Sequence, residues 1–385
     1  MPLRPPAGFI SANFDPLKNP DAPTGVSASA GDASASVSFT APANVGGSAI
    51  TAYYAVSNPS QVTVSGTSSP VTVTGLSNGT AYTFQVWALN SFGPGSFSAA
   101  SGSVTPAVAR GVWGGGTSSN VIDYIAIATT GNATDFGDLP SAMRDLAGCG
   151  SSTRGLFGGG DTTAAINYIT FATTGNAISF GNLTSARAEL AACNSSTRGV
   201  FAGGSGTSTI DYVTIATTGN ATSFGNLSAG RNQLAGCSSS TRGLFGGGGG
   251  TNIIDYITIA TTGNATDFGD LTLARSRPGS CSNSTRGVWA GGNNDGTRVN
   301  VIDYVTIASI GNATDFGDLS AVWEWCPGAS STTRGVFGGG ERAGSTTSAL
   351  DYITIASTGN STNFGNLTVA RTELAACSSG NGGTQ

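Results

Sequence analysis

The chain has 385 residues, a net charge of −5, 10% charged residues, 59 glycines and no histidine. So little positive charge argues against a nucleic-acid partner. The missing imidazole removes the commonest general base and transition-metal ligand, and no apolar run approaches the roughly 20 residues of a membrane helix.

Residues 1–20, "MPLRPPAGFISANFDPLKNP", are proline-rich and irregular and read as an extended arm. They contain neither an apolar core nor a cleavage pattern of the kind an export signal needs, so folding in a cytoplasm is expected. From residue 21 to 106 the pattern changes to short alternating strands at 35–39, 50–56, 71–76 and 81–89, separated by Gly, Pro, Asn and Ser turns. This is the pattern of a small β-sandwich.

The segment resembles a fibronectin type III domain through "APTGVSAS", "GGSAITAYY" and "GLSNGTAYTFQVWALNSFGPG". Tyr82 falls at the family's tyrosine corner with Leu76 at the preceding bend, and Phe39 stands where the family usually carries Trp. "FGPGS" occupies the loop that holds RGD in some adhesive relatives, so a spacer or docking module is expected. Sequons such as Asn78-Gly79-Thr80 read as turn chemistry.

From residue 107 to 385 the chain repeats. "SSTRGLFGGG" at 151–160 returns with small edits, and its Arg falls at 110, 154, 198, 242, 286 and 334, a spacing of 44 four times and then 48. A period in the forties marks a repeat architecture. One unit, residues 186–227, divides into strands at 189–193, 198–204, 210–217 and 222–227. The first two carry small residues and the last two large ones. The third is apolar at nearly every position, as expected when both faces of a sheet are covered.

The units resemble kelch repeats in the Gly203-Gly204 pair, Tyr212, Phe224 and Arg231. Phe136, Phe180, Phe224, Phe268, Phe316 and Phe364 stand where that family usually has Trp. The chain enters the repeats at a second strand and ends on a spare first strand, 372–377. The expected fold is therefore all-β: a fibronectin type III sandwich followed by a six-bladed kelch-like β-propeller closed by the C-terminal strand.

The repeated Arg is expected to bond backbone carbonyls between blades. Asp123, Asp211, Asp255, Asp303 and Asp351, with Asn167 in the second unit, are expected to be structural too. "DFGD" at 135–138, 267–270 and 315–318 is replaced by neutral sequences elsewhere, which argues against calcium. Cys149, Cys193, Cys237, Cys281 and Cys377 share one inner position, where Cys326 is out of register and Ala329 takes its place. They are expected to fill a tight strand rather than hold a metal. The six cysteines form no CxxC pair and recur about once per repeat, which argues against a disulfide framework. The copper site of some kelch-like oxidases needs His, and no non-repeated Arg, Tyr and acid set of the sialidase kind is present. No catalysis, cofactor or metal is expected.

What is not repeated is the better guide to function. Two units carry four extra residues between strands two and three, at 293–300 and 341–349, and "VWEWC" puts Trp323 and Trp325 where Arg and Glu stand elsewhere. The candidate surface is Trp323, Trp325, Asn293, Asn294, Asp295, Arg298, Glu341 and Arg342. Exposed Trp flanked by polar groups can stack on a sugar; facing a protein neighbour and filling a gap are the alternatives.

The domain combination resembles tailed-bacteriophage virion proteins, which implies a fibre or appendage component assembled in the host cytoplasm. Its partners would be other virion proteins, reached through the arm and sandwich, and a host surface glycan or protein. A homo-oligomer is compatible, while nucleic acid and membrane insertion are not expected. An architectural head or tail decoration subunit and a bacterial surface interaction protein are the competing readings.

Overall fold

A computed structural model describes residues 17–161 and 163–380. The expected arm falls mostly on residues 1–16, outside the described residues. Its last residues are not free: the Lys18 amide donates to the Gly46 carbonyl at 3.1 Å, and Asn90 Nδ2 donates to the Lys18 carbonyl at 2.9 Å. Among the described residues every regular element is a strand. The chain divides into two compact units between Val108 and Ala109.

The first unit has seven strands rather than the four expected: β1 (Thr24–Gly31), β2 (Ser34–Thr40), β3 (Ala52–Asn58), β4 (Thr63–Gly66), β5 (Val71–Thr74), β6 (Thr83–Asn90) and β7 (Gly93–Pro94). They form two sheets, β1-β2-β5 and β4-β3-β6-β7. β1, β4 and β7 escape sequence reading because they carry polar or small residues and bury little. The sheets enclose Val37, Phe39, Tyr53, Val73, Phe84 and Val86. Tyr82 is buried and its hydroxyl accepts the Ser77 amide at 3.0 Å, fixing the bend after Leu76.

The second unit contains six four-stranded antiparallel sheets, here I to VI. Sheet III is typical, with strands Ala191–Asn194, Arg198–Ala202, Thr209–Thr214 and Thr222–Asn226 in that spatial order. Sheets II, IV, V and VI begin at Ala147, Ala235, Gly279 and Gly328. Sheet I is assembled from both ends of the unit. Arg110–Gly114, Val121–Ala126 and Thr134–Asp138 are joined by Ala375–Ser378, which pairs with Arg110–Gly114 (Cys377 opposite Val112).

The first strand of sheet III starts at Ala191, two residues later than its sequence suggests. Glu189 sits at φ +60°, which takes it out of the strand.

Apolar side chains fill the space between consecutive sheets. One cluster joins Phe136 of sheet I to Phe157 and Ile169 of sheet II, and another joins Trp113 and Ile125 of sheet I to Val336 and Phe364 of sheet VI. The first strands explain the coupling of Cys to Gly. An ideal Cβ on Gly199 would lie 2.9 Å from Cys149 Sγ, and one on Gly155 would lie 2.6 Å from Cys377 Sγ. Each of these thiols is seated on the second-strand glycine of the next sheet, so the glycine of "RG" is needed for close approach. Burial pushes the Cys149 thiol up to about 12, which leaves it a space-filling group rather than a nucleophile.

Candidate functional site

The repeated polar residues are consumed in holding the sheets together. The guanidinium of each repeat Arg lies 4.5–4.7 Å over the Tyr ring of its own sheet. It then donates to a carbonyl of the next sheet: Arg154 to Ala216 at 2.8 Å, Arg198 to Ala260 at 2.8 Å and Arg334 to Ala128 at 2.7 Å. Asn side chains of the "TGNA" turns form a second set of ties. Asn176 Oδ1 accepts the Asp138 amide at 3.0 Å, and Asn132 Oδ1 accepts the Asn366 amide at 3.1 Å.

A buried ion pair recurs in four sheets: Arg187–Asp211 at 2.9 Å, Arg231–Asp255 at 2.6 Å, Arg275–Asp303 at 2.8 Å and Arg371–Asp123 at 2.9 Å. Desolvation lowers the Arg231, Arg275 and Arg371 values, while each Asp partner opposes that shift. In sheet II both partners change together, to Met143 and Asn167, whose Nδ2 lies 3.6 Å from Met143 Sδ. Sheet VI keeps Asp351 but has Trp323 in place of Arg. Asp351 accepts instead from Ser320 and from Ser361 Oγ at 2.9 Å.

Trp323, expected at the surface, is fully buried. Its indole occupies the volume of the missing Arg, and Nε1 donates to the Gly339 carbonyl, just as Arg231 donates to Gly247. It is a packing residue and cannot stack on an incoming ligand. Trp325 is half-buried, with Arg277 5.0 Å over its ring.

The other candidates do gather. The extra residues form two hairpins, Asn293–Asn294 with Thr297–Arg298 and Glu341–Arg342 with Ser345–Thr346. They turn at Asp295-Gly296 and Ala343-Gly344, all with positive φ, as two-residue hairpin loops require. Trp323–Glu324 pairs with Glu341–Arg342. At the centre lies Glu324, which sequence reading missed; its side chain is 3% exposed. It takes Arg298 at 2.7 Å, Arg277 at 3.1 Å and Asn293 Nδ2 at 3.2 Å. Arg298 also pairs with Glu341, and Arg342 lies 5.1 Å over Trp323. The signal was its position, a Glu between two departures from the repeat, but a single acid gave no hint that it would be buried. Among the candidates only Asp295, at the first hairpin's tip, is exposed.

Among the described residues no group of three or more acidic or cysteine side chains could hold a metal.

For the first unit, the two-sheet topology and the tyrosine corner agree with a family match: residues 21–103 fit the model of the fibronectin type III domain. The sandwich is a fibronectin type III domain. On its outer face Tyr54 and Trp87 stack at 4.1 Å, and Phe92 and Phe97 are exposed beyond β6. Among curated proteins none matches the chain.

Proposed function

We propose that residues 109–380 form a closed, kelch-like six-bladed propeller, and that the chain is a non-enzymatic virion protein of a tailed bacteriophage. In this reading it is a fibre or appendage component whose propeller meets a host-surface ligand or another virion protein. Three observations support the ring. Ala375–Ser378 pairs with Arg110–Gly114, Arg334 of sheet VI bonds Ala128 of sheet I as Arg198 of sheet III bonds Ala260 of sheet IV, and the Asn ties include Asn132 with Asn366. A ring of sheets leaves only short edges, which suits a particle component that must not aggregate.

The binding role is carried by one observation: on a scaffold of near-identical units, the departures collect in one cross-braced cluster on sheets V and VI. The brace holds Arg298, Glu341, Arg342 and Trp325 in place before any partner arrives, which lowers the ordering cost of binding. The virion setting rests on the domain combination.

The experiment is binding of the purified chain to host cells and a glycan array, beside a variant carrying Trp325→Ala and Arg342→Ala. Attachment predicts binding by the wild type and a loss of at least about tenfold in the variant. Binding only to virion particles would favour the architectural decoration subunit, a reading helped by how fully Glu324 and Glu341 neutralise the cluster's arginines. Binding to neither would overturn both.

A further inference from the structure

The first strands of the six sheets surround a cavity of about 110 Å3. At its mouth each repeat supplies one side chain from the same backbone position: Asp145, Glu189, Gln233, Arg277, Trp325 and Glu373. Their φ angles all fall between 56° and 62°. The fourth-strand aromatic is Phe in all six units and the third-strand aromatic is Tyr in all six. At the mouth, by contrast, five residue types fill six places. Repeat proteins vary a binding surface in this way on a constant frame.

The mouth is chemically polarised. Glu373, Asp145 and Glu189 are neighbours: the Asp145 amide donates to the Glu373 carbonyl at 2.9 Å, and the Glu189 amide to the Asp145 carbonyl at 2.8 Å. The guanidinium beside them, Arg144, lies 3.4 Å from Glu373 and 4.0 Å from Asp145, and is shared with Asp161 at 2.8 Å. Four carboxylates facing one cation leave an excess of negative charge. Glu189 is held in place by Asn232 Nδ2 at 2.5 Å and Gln233 Nε2 at 2.6 Å.

The Asp145 side chain is 14% exposed, and its Oδ1 accepts no hydrogen bond. Burial, with Glu373 and Glu189 beside it, pushes its carboxyl up to about 7. On the far side Arg277 is already neutralised by Glu324 and stacked on Trp325. Below the mouth the wall is apolar, with Leu146, Leu190, Ala191 and Ala375.

We infer that this cavity binds a primary ammonium group on an unbranched aliphatic stem, the ammonium set among Glu373, Asp145 and Glu189 and the stem crossing the mouth against Trp325. Three N–H donors match three acceptor side chains, and an amphipathic stem of the lysine kind lies along apolar surface. A quaternary ammonium has no donor to offer. The group can arrive on a free diamine or on the lysine of a partner chain. The site stands on the cavity and does not depend on the virion reading.

The test is calorimetric titration of the full chain with putrescine, with N-acetyl-lysine amide and with tetramethylammonium. Both primary amines are expected to saturate one site, with tetramethylammonium at least about tenfold weaker. A bound cation favours ionised Asp145, so affinity should rise by up to about tenfold between pH 6 and pH 8, with proton release at the lower pH. Glu373→Gln and Glu189→Gln should each weaken binding by about tenfold or more while the far-ultraviolet circular dichroism spectrum stays that of the wild type; Asp145→Asn serves if either fails to fold. Saturation by the lysine derivative alone assigns the site to a partner chain, and saturation by both assigns it to the free amine. No saturable binding, equal binding of tetramethylammonium, or amine binding that survives the acid-to-amide changes would overturn the inference.

Discussion

Replacing Arg231 by Met tests whether the repeated Arg–Asp pair is a stability element whose two halves depend on each other. Arg231 is 2% exposed, and Asp255 lies 2.6 Å away with no exposure at all. Arg231 also donates to the Gly247 and Ile253 carbonyls, both at 2.8 Å, while the Asp255 carboxylate otherwise accepts the Ser228 amide at 3.3 Å. Arg231→Met therefore leaves a buried carboxylate with one weak donor and strips two carbonyls of a partner. Removing one member of a buried pair costs about 3–5 kcal/mol. In a unit of this size that corresponds to a melting temperature lower by roughly 10 °C. Asp255→Asn alone should cost a similar amount by leaving the guanidinium without its counter-ion.

The double variant copies a solution already present in the chain, since sheet II carries Met143 beside Asn167 in the equivalent places. It should fall only about 1–2 kcal/mol below the wild type, so the two changes should couple by at least about 4 kcal/mol. The assay is a double-mutant cycle in urea followed by far-ultraviolet circular dichroism. A single variant within about 1 kcal/mol of the wild type, or a double variant no better than the worse single one, would refute the argument.

Trp323→Ala should cost about 3–5 kcal/mol, because it empties a fully buried indole site and orphans the Gly339 carbonyl; urea unfolding checks this. Asp145 has a folded value of about 7 against about 4 when unfolded. The folded state therefore holds the extra proton, and stability is lost as pH rises from about 4 to about 7. Asp145→Asn should accordingly raise the melting temperature at pH 8 and change it little at pH 4. The six cysteines are buried, so an exposed-thiol reagent should label none in the native chain and all six in denaturant. Removing residues 372–385 deletes Ala375–Ser378 and leaves Arg110–Gly114 with an open edge. The truncated chain should elute as aggregates in size-exclusion chromatography.

Which parts of this molecule can be read from its sequence follows from how many residues carry each signal. The six sheets rest on a pattern repeated six times, so one ambiguous strand is corrected by its five counterparts. The phase of that pattern alone suggested that 372–377 belongs beside 110–114. β1, β4 and β7 of the fibronectin type III domain had no such redundancy, and their polar residues hid them. The candidate site was legible in position but not in role. The sequence marks Trp323 as a departure, and an unpaired aromatic in a polar setting reads as exposed. What it hides is that Trp323 replaces an Arg whose place is itself buried, because the burial of Arg187, Arg231, Arg275 and Arg371 shows only once Asp partners lie within 3 Å of them. The same blindness concealed Glu324, the acid that binds the two hairpins, and the mouth residues, whose shared backbone position matters more than their unlike side chains. A departure from a repeat therefore marks only a place; the burial of the residue it replaces decides whether the new side chain faces a partner or fills the core.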